Sequence, residues 1–195
     1  MKVNYEAIVI GMSSGGLNAL MLLLPALPAD FYLPIIIVQH RGANSENHWI
    51  ESLNRVSHLC IREADEKDVI EKGNVYFAPA NYHLLVEMDR TLSLSNDEKV
   101  NFAKPSIDVL FETAAEAYKD KLIGIILTGA NNDGAKGIKK IKDYGGLTIV
   151  QDPASAEYPF MPNSALNCHT PNYLLSIEKT VTLLIELNTL TKATS

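Results

Sequence analysis

Short, almost purely apolar runs recur along the chain, and most are followed by a stretch with helical spacing. This alternation narrows the fold more than any other feature. Residues 7–10 are AIVI, 34–38 PIIIV, 122–127 LIGIIL and 148–151 TIVQ. Such runs, without polar alternation, belong to strands covered on both faces, as in a parallel sheet. A further strand is expected at 59–63. Helices are expected over 16–24, stopped by Pro25 and Pro28, and over 46–56, 135–144, 161–167 and 176–190. Another spans 106–119, with Ser106 as its N-cap candidate after Pro105. Repeated βα units call for an α/β fold, a doubly wound, mostly parallel sheet in a Rossmann-like three-layer arrangement.

The middle of the chain differs. Segments 74–78, 84–87 and 92–95 are short strands separated by Pro79-Ala80-Asn81 and Asp89-Arg90, expected as an antiparallel β-hairpin insertion. No linker, repeat or low-complexity block divides the 195 residues, so one domain spanning 1–195 is expected.

Composition excludes several function classes. A net charge of −6, without a basic stripe, argues against nucleic acid, because phosphate contacts need clustered Lys and Arg. Cys60 and Cys168 show no CxxC or Cys/His metal spacing, and suit free thiols in a reducing compartment. The start MKVNYEAIVIG is too short an apolar run for a signal peptide. The longest apolar stretches break before the roughly 18 residues a membrane span needs. A soluble, cytoplasmic protein without membrane insertion is expected.

Three expected strand ends carry reactive groups: Ser13 after the first, His40 after the second and Asp133 after LIGIIL. In doubly wound sheets ligands bind beyond the carboxyl ends of the strands. A serine hydroxyl is a weak nucleophile until a base takes its proton, and the base needs a carboxylate to fix its tautomer and stabilise its cation. The loop Gly11-Met12-Ser13-Ser14-Gly15-Gly16 permits a sharp turn, and the following helix offers unpaired N–H groups to a developing oxyanion. A dinucleotide fingerprint is absent, because Ser13 replaces the second Gly of G-x-G-x-x-G and the second strand ends in Gln39-His40, not an acidic residue. From residues alone, each candidate also has a structural reading. Ser13 suits a helix cap, His40 a hydrogen-bonded strand end, and Asp133, in GANNDG, a turn. His48, His58, His83 and His169 are poorer candidates for a base.

Taken together, these segments resemble the catalytic domain of the protein-glutamate methylesterases of bacterial chemotaxis, the CheB family. The resemblance is carried by AIVIGMSSGG (7–16), IIIVQH (35–40), GNVYFAPANYHLLVE (73–87), KPSIDVLFETAA (104–115), IGIILTGANNDGAKGI (123–138) and TIVQDPASAEYPFMPNSAL (148–166). It implies a nucleophile at Ser13, a base at His40 and an aspartate at Asp133. It also implies a substrate-adjacent hydroxyl at Ser14 and an oxyanion amide at Ala130, with no metal or organic cofactor. The implied reaction is hydrolysis of glutamate γ-methyl esters on chemoreceptor helices, with glutamine deamidation in some members. The implied partner is a methylated chemoreceptor-like protein. The family's usual N-terminal receiver domain is not expected here, since residue 1 lies just before the first core strand. No phosphorylation site is therefore expected on this chain. Lys104 and Asn163 stand where the family commonly has Arg, and the segment from Arg41 is unlike the usual pattern. These departures leave two rivals: a hydrolase for another protein or a small ester, and a non-catalytic signalling module of the same fold.

Overall fold

A computed structural model describes residues 4–40 and 48–193. Strands β1 (Ala7–Met12) and β2 (Ile35–Gln39) flank helix α1 (Gly16–Leu23) in sequence. Helix α2 (His48–Val56), β3 (Cys60–Glu63) and β4 (Asn74–Phe77) follow. Strands β5 (His83–Val86) and β6 (Leu92–Ser95) precede α3 (Ile107–Tyr118). The second half runs β7 (Leu122–Ile126), α4 (Ala135–Asp143), β8 (Leu147–Gln151), α5 (Phe160–Cys168), β9 (Tyr173–Leu175) and α6 (Ile177–Lys192). Residues 41–47, which hold the start of the unusual segment and of the helix expected at 46–56, lie outside the described residues.

Seven strands form one parallel sheet in the order β3-β4-β2-β1-β7-β8-β9, and β5 and β6 pair separately as an antiparallel hairpin. The alternating residues of β1 explain the layers. Ile8, Ile10 and Met12 enter a core with α1, α2 and α6, whereas Ala7 and Val9 enter a second core with α3, α4 and α5. The hairpin does not extend the sheet. Its Leu84, Val86 and Leu92 join the second core, and Val86 N–H donates to Thr113 Oγ1 on α3 at 3.1 Å. Among the described residues no helix is long and apolar enough to cross a membrane.

One expectation needs correction. Segment 74–78, expected as part of the hairpin insertion, is instead β4 inside the parallel sheet, pairing Val75 with Ile35 of β2 and with Ile61 of β3. Its Val75, Tyr76 and Phe77 are all buried, which fits a strand covered on both faces. Residues 64–73 connect β3 to β4 without a helix, and the missing helical pattern hid the crossover. Strand β9 was not expected either, being three residues on the sheet edge.

Helices α3 and α4 approach so closely that Gly137 has no room for a side chain. A Cβ there would lie 2.5 Å from Phe111 Cβ and 3.2 Å from the Asp108 backbone. The Gly137 N–H uses the approach to donate to Asp108 Oδ1 at 2.7 Å. Gly137→Ala is therefore expected to cost about 1–3 kcal/mol through overpacking. A lowered urea midpoint checks this, and an unchanged midpoint contradicts the packing described.

Candidate active site

The sheet order makes β2, β1 and β7 neighbours, so their loops leave one edge side by side. Ladder hydrogen bonds continue past the strands into these loops. Leu127 N–H donates to Gly11 O at 3.0 Å, Ser13 N–H to Thr128 O at 3.0 Å, and His40 N–H to Met12 O at 3.1 Å. Backbone pairing thus positions Ser13 and His40. Two side chains fix the loop further: Gln39 Nε2 donates to Ser13 O at 2.9 Å, and Thr128 Oγ1 donates to Ser14 O at 3.0 Å. Gly15 adopts φ 77°, a left-handed conformation that favours glycine, and starts α1 with no side-chain cap. Ser13 is consequently not a helix cap.

Asp133, on the loop from β7 into α4, is fully buried. Its Oδ2 accepts from His40 Nε2 at 2.8 Å and Ile107 N–H at 2.6 Å. Its Oδ1 accepts from Ser106 Oγ at 2.9 Å, Asn101 Nδ2 at 3.0 Å and Asp108 N–H at 3.2 Å. Two of these donors are the opening amides of α3. The cap expected from Ser106 is therefore supplied by a carboxylate 26 residues beyond Ile107, and the Ser106 hydroxyl donates to that same carboxylate. Burial alone would raise the Asp133 pKa, but the bonds from His40, Asn101 and Ile107 hold it below the usual carboxylate range. The neighbouring Asp108 moves the other way. Burial pushes its carboxyl up, against the bond from Gly137 and with the nearby Asp133 charge adding to the rise. Asn101 Nδ2 bridges the two, also donating to Asp108 Oδ2 at 2.7 Å. Asp133 is the member of this pair held as the anion.

The carboxylate can only accept, so His40 Nε2 carries the proton and Nδ1 presents a lone pair. Asn131 Nδ2 lies 3.0 Å from that Nδ1. Ser13 and His40 line one cleft of about 270 Å³, with Ser14, Gln39 and Glu157 on its walls. No hydrogen bond joins the Ser13 hydroxyl to His40 among the described residues. The N–H groups of Ser14 and Ala130 likewise donate to no acceptor among those residues. On its other side His40 borders a groove of about 490 Å³, lined also by Lys99, Asn101, Phe102, Lys104 and Asn131. Phe102 stands at that groove 97% exposed.

The structure thus brings Ser13, Ser14 and His40 into one cleft and Asp133 against the ring, with Ala130 on the same turn as Asp133. His83 stays apart: Ser106 N–H donates to its Nδ1 at 3.1 Å, and its Nε2 donates to Glu98 O at 2.9 Å. It ties the hairpin to the start of α3. Gln39, Asn101, Ser106, Thr128 and Asn131 were missed as site residues. Their partners lie far along the chain or within an ordinary-looking turn, so no spacing announces them.

A family profile for CheB methylesterase matches residues 8–184. The chain belongs to the CheB methylesterase family. The crystal structure of the Thermotoga maritima CheB methylesterase catalytic domain matches it with a TM-score of 0.89 at 35% identity, covering 95% of this chain and 100% of that one. The Thermotoga maritima protein-glutamate methylesterase/protein-glutamine glutaminase is 35% identical over 188 residues, 95% of this chain but 55% of its own length. A Leptospira interrogans protein assigned the same two activities is 57% identical over 186 residues, 95% of this chain and 96% of its own length. This CheB-family chain therefore spans about half of one relative and nearly all of the other.

Removing the Asp133 carboxylate leaves the Ile107 and Asp108 amides and the Ser106 hydroxyl without their acceptor. Asp133→Ala is expected to lose about 3–5 kcal/mol, the range for breaking a buried charged network. The sign with pH follows from the depressed pKa. The stabilisation is present above the unfolded carboxylate value and disappears as pH falls through the lower folded value. The stability gap between parent and variant in urea unfolding should therefore narrow in strong acid. A gap that is constant with pH contradicts an ionised Asp133.

Proposed function

We propose that this chain, acting as one catalytic domain, is a serine hydrolase that removes methyl groups from glutamate γ-esters. Ser13 is the nucleophile, His40 the base and Asp133 its carboxylate partner. The observation that carries this reading is the buried carboxylate, which accepts from five donors, His40 Nε2 among them. The opposite nitrogen, Nδ1, belongs to a ring sharing a cleft with Ser13. Family membership supports the assignment, as does the match of the first, second and seventh strand ends to the family's pattern.

In the proposed sequence, His40 Nδ1 takes the Ser13 proton as Oγ attacks the ester carbonyl. The Ser14 and Ala130 amides, without acceptors among the described residues, suit the oxyanion. Collapse of the tetrahedral intermediate breaks the carbon–oxygen bond to methoxide, which leaves as methanol with the proton from Nδ1. Water, deprotonated by the same nitrogen, then attacks the acyl-enzyme and releases glutamate and Ser13. Asp133 keeps the Nε2 proton and stabilises the transient imidazolium. A glutamine side chain follows the same path with ammonia leaving, in keeping with the double name of the relatives. No step calls for a metal or organic cofactor.

The proposed substrate is a methylated chemoreceptor-like helical protein in the cytoplasm. The groove beside His40 supports it, because Lys99 suits an acidic helix and exposed Phe102 offers an apolar contact. Contacts along such a helix position the ester, so a small ester should turn over far more slowly.

Methanol release from methylated receptor membranes is the test. Ser13→Ala is expected to fold normally and lose turnover by about 10⁴-fold. Parental turnover in the folded variant contradicts the assignment of Ser13. Efficient hydrolysis of a small activated ester, with no methanol from any methylated receptor, overturns the substrate while leaving the serine chemistry standing.

A further inference from the structure

His40 has both ring nitrogens engaged, Nε2 with Asp133 and Nδ1 with Asn131. The second contact is oriented by a third. Asn131 Oδ1 accepts the Asp133 N–H at 3.0 Å, so the amide NH₂ faces the ring. An N–H directed at Nδ1 is satisfied only by an unprotonated nitrogen, since a proton there would set two donors face to face. The turn after β7 therefore holds both edges of the imidazole. The lone pair that the Ser13 proton needs is already occupied by an amide, and the Ser13 hydroxyl waits in the same cleft.

We propose that Asn131 is a positioning residue that latches the base at rest, holding the neutral Nε2–H tautomer and yielding Nδ1 to Ser13 when substrate enters the cleft. This rests on the roles of Ser13 and His40 given above. In the step itself the Asn131 amide leaves Nδ1, the Ser13 hydroxyl donates there, and its proton passes to Nδ1 as Oγ bonds to the carbonyl carbon. Other titratable groups face the ring or its surroundings among the described residues. They are Asp133 at Nε2, Asp108 behind it through Asn101, Glu157 in the small cleft, and Lys99 and Lys104 along the groove. All of them remain when only residue 131 changes.

The test compares Asn131→Ala and Asn131→Asp with the parent and with Ser13→Ala. The His40 ring titration is followed by NMR, and the pH–rate profile is measured on a small activated ester. Asn131→Ala removes the donor that opposes protonation. Its ring should titrate about 0.5–1 pH unit higher than the parent's, the size of one net hydrogen bond. The acid limb of the rate profile should move with it, and plateau turnover should rise, by up to about ten-fold. Asn131→Asp keeps an acceptor for the Asp133 N–H but sets a carboxylate on Nδ1. That draws a proton onto the nitrogen Ser13 needs, so plateau turnover should fall by roughly ten-fold or more.

If Asn131 merely builds the turn, the order reverses, because Asp is a good turn former and Ala abolishes the side-chain bond. Asn131→Ser, too short to reach the ring, replaces Asn131→Ala if that variant does not fold, with the same expected shift. An unshifted titration or a lowered plateau in the Ala variant, or parental turnover in Asn131→Asp, overturns the latch. Parental turnover in Ser13→Ala instead overturns the assignment of Ser13, and the NMR titration still reads the contact at Nδ1.

Discussion

A buried carboxylate at the head of a helix organises this molecule. Asp133 accepts the opening amides of α3, the Ser106 hydroxyl, the Asn101 amide and the His40 ring. An anion so deeply buried is tolerable only when its lone pairs are filled and a helix N-terminus supplies positive potential. Both conditions hold here. The group that completes α3 is therefore also the group bound to the His40 ring. The bond from Ser106 N–H to His83 carries the connection onward to the hairpin, so its docking, the start of α3 and the His40 ring share one hydrogen-bonded network.

Sheet order accounts for the rest of the site. From β1 the chain builds outward through β2 toward β3 and β4, then returns to the other side of β1 at β7. Loops on either side of such a reversal diverge and leave a crevice where ligands bind. Ser13 and Asp133 follow the two strands at the reversal, and His40 follows the next strand. The chain order Ser, His, Asp has no mechanistic meaning in itself. What matters is that strands distant in sequence lie adjacent in the sheet.

How far this was legible in the sequence follows from the same physics. Strands β1, β2, β7 and β8 could be read directly, because burial on both faces removes polar residues and leaves unbroken apolar runs. Strand β4 has that burial too, but its crossover lacks a helix, and its neighbours in sequence form a hairpin. Ser13, His40 and Asp133 were visible as reactive residues at strand ends. Their hydrogen-bond partners were not. Ser106 looked like a cap because capping is a local rule, and the competing carboxylate comes from a distant turn. Asn131 looked like one of several turn formers. Which nitrogen of His40 it faces depends on how Asp133 N–H orients its amide, and only the folded turn decides that.

An activated serine at one sheet edge, dependent on the histidine beside it, is the claim on which these arguments converge. Reaction of the folded protein with a fluorophosphonate, followed by mass mapping of the labelled peptide, addresses it without knowledge of the natural substrate. The expected result is one adduct on Ser13, which disappears in folded His40→Ala. An adduct on another residue, or labelling of Ser13 that persists undiminished without His40, would contradict it.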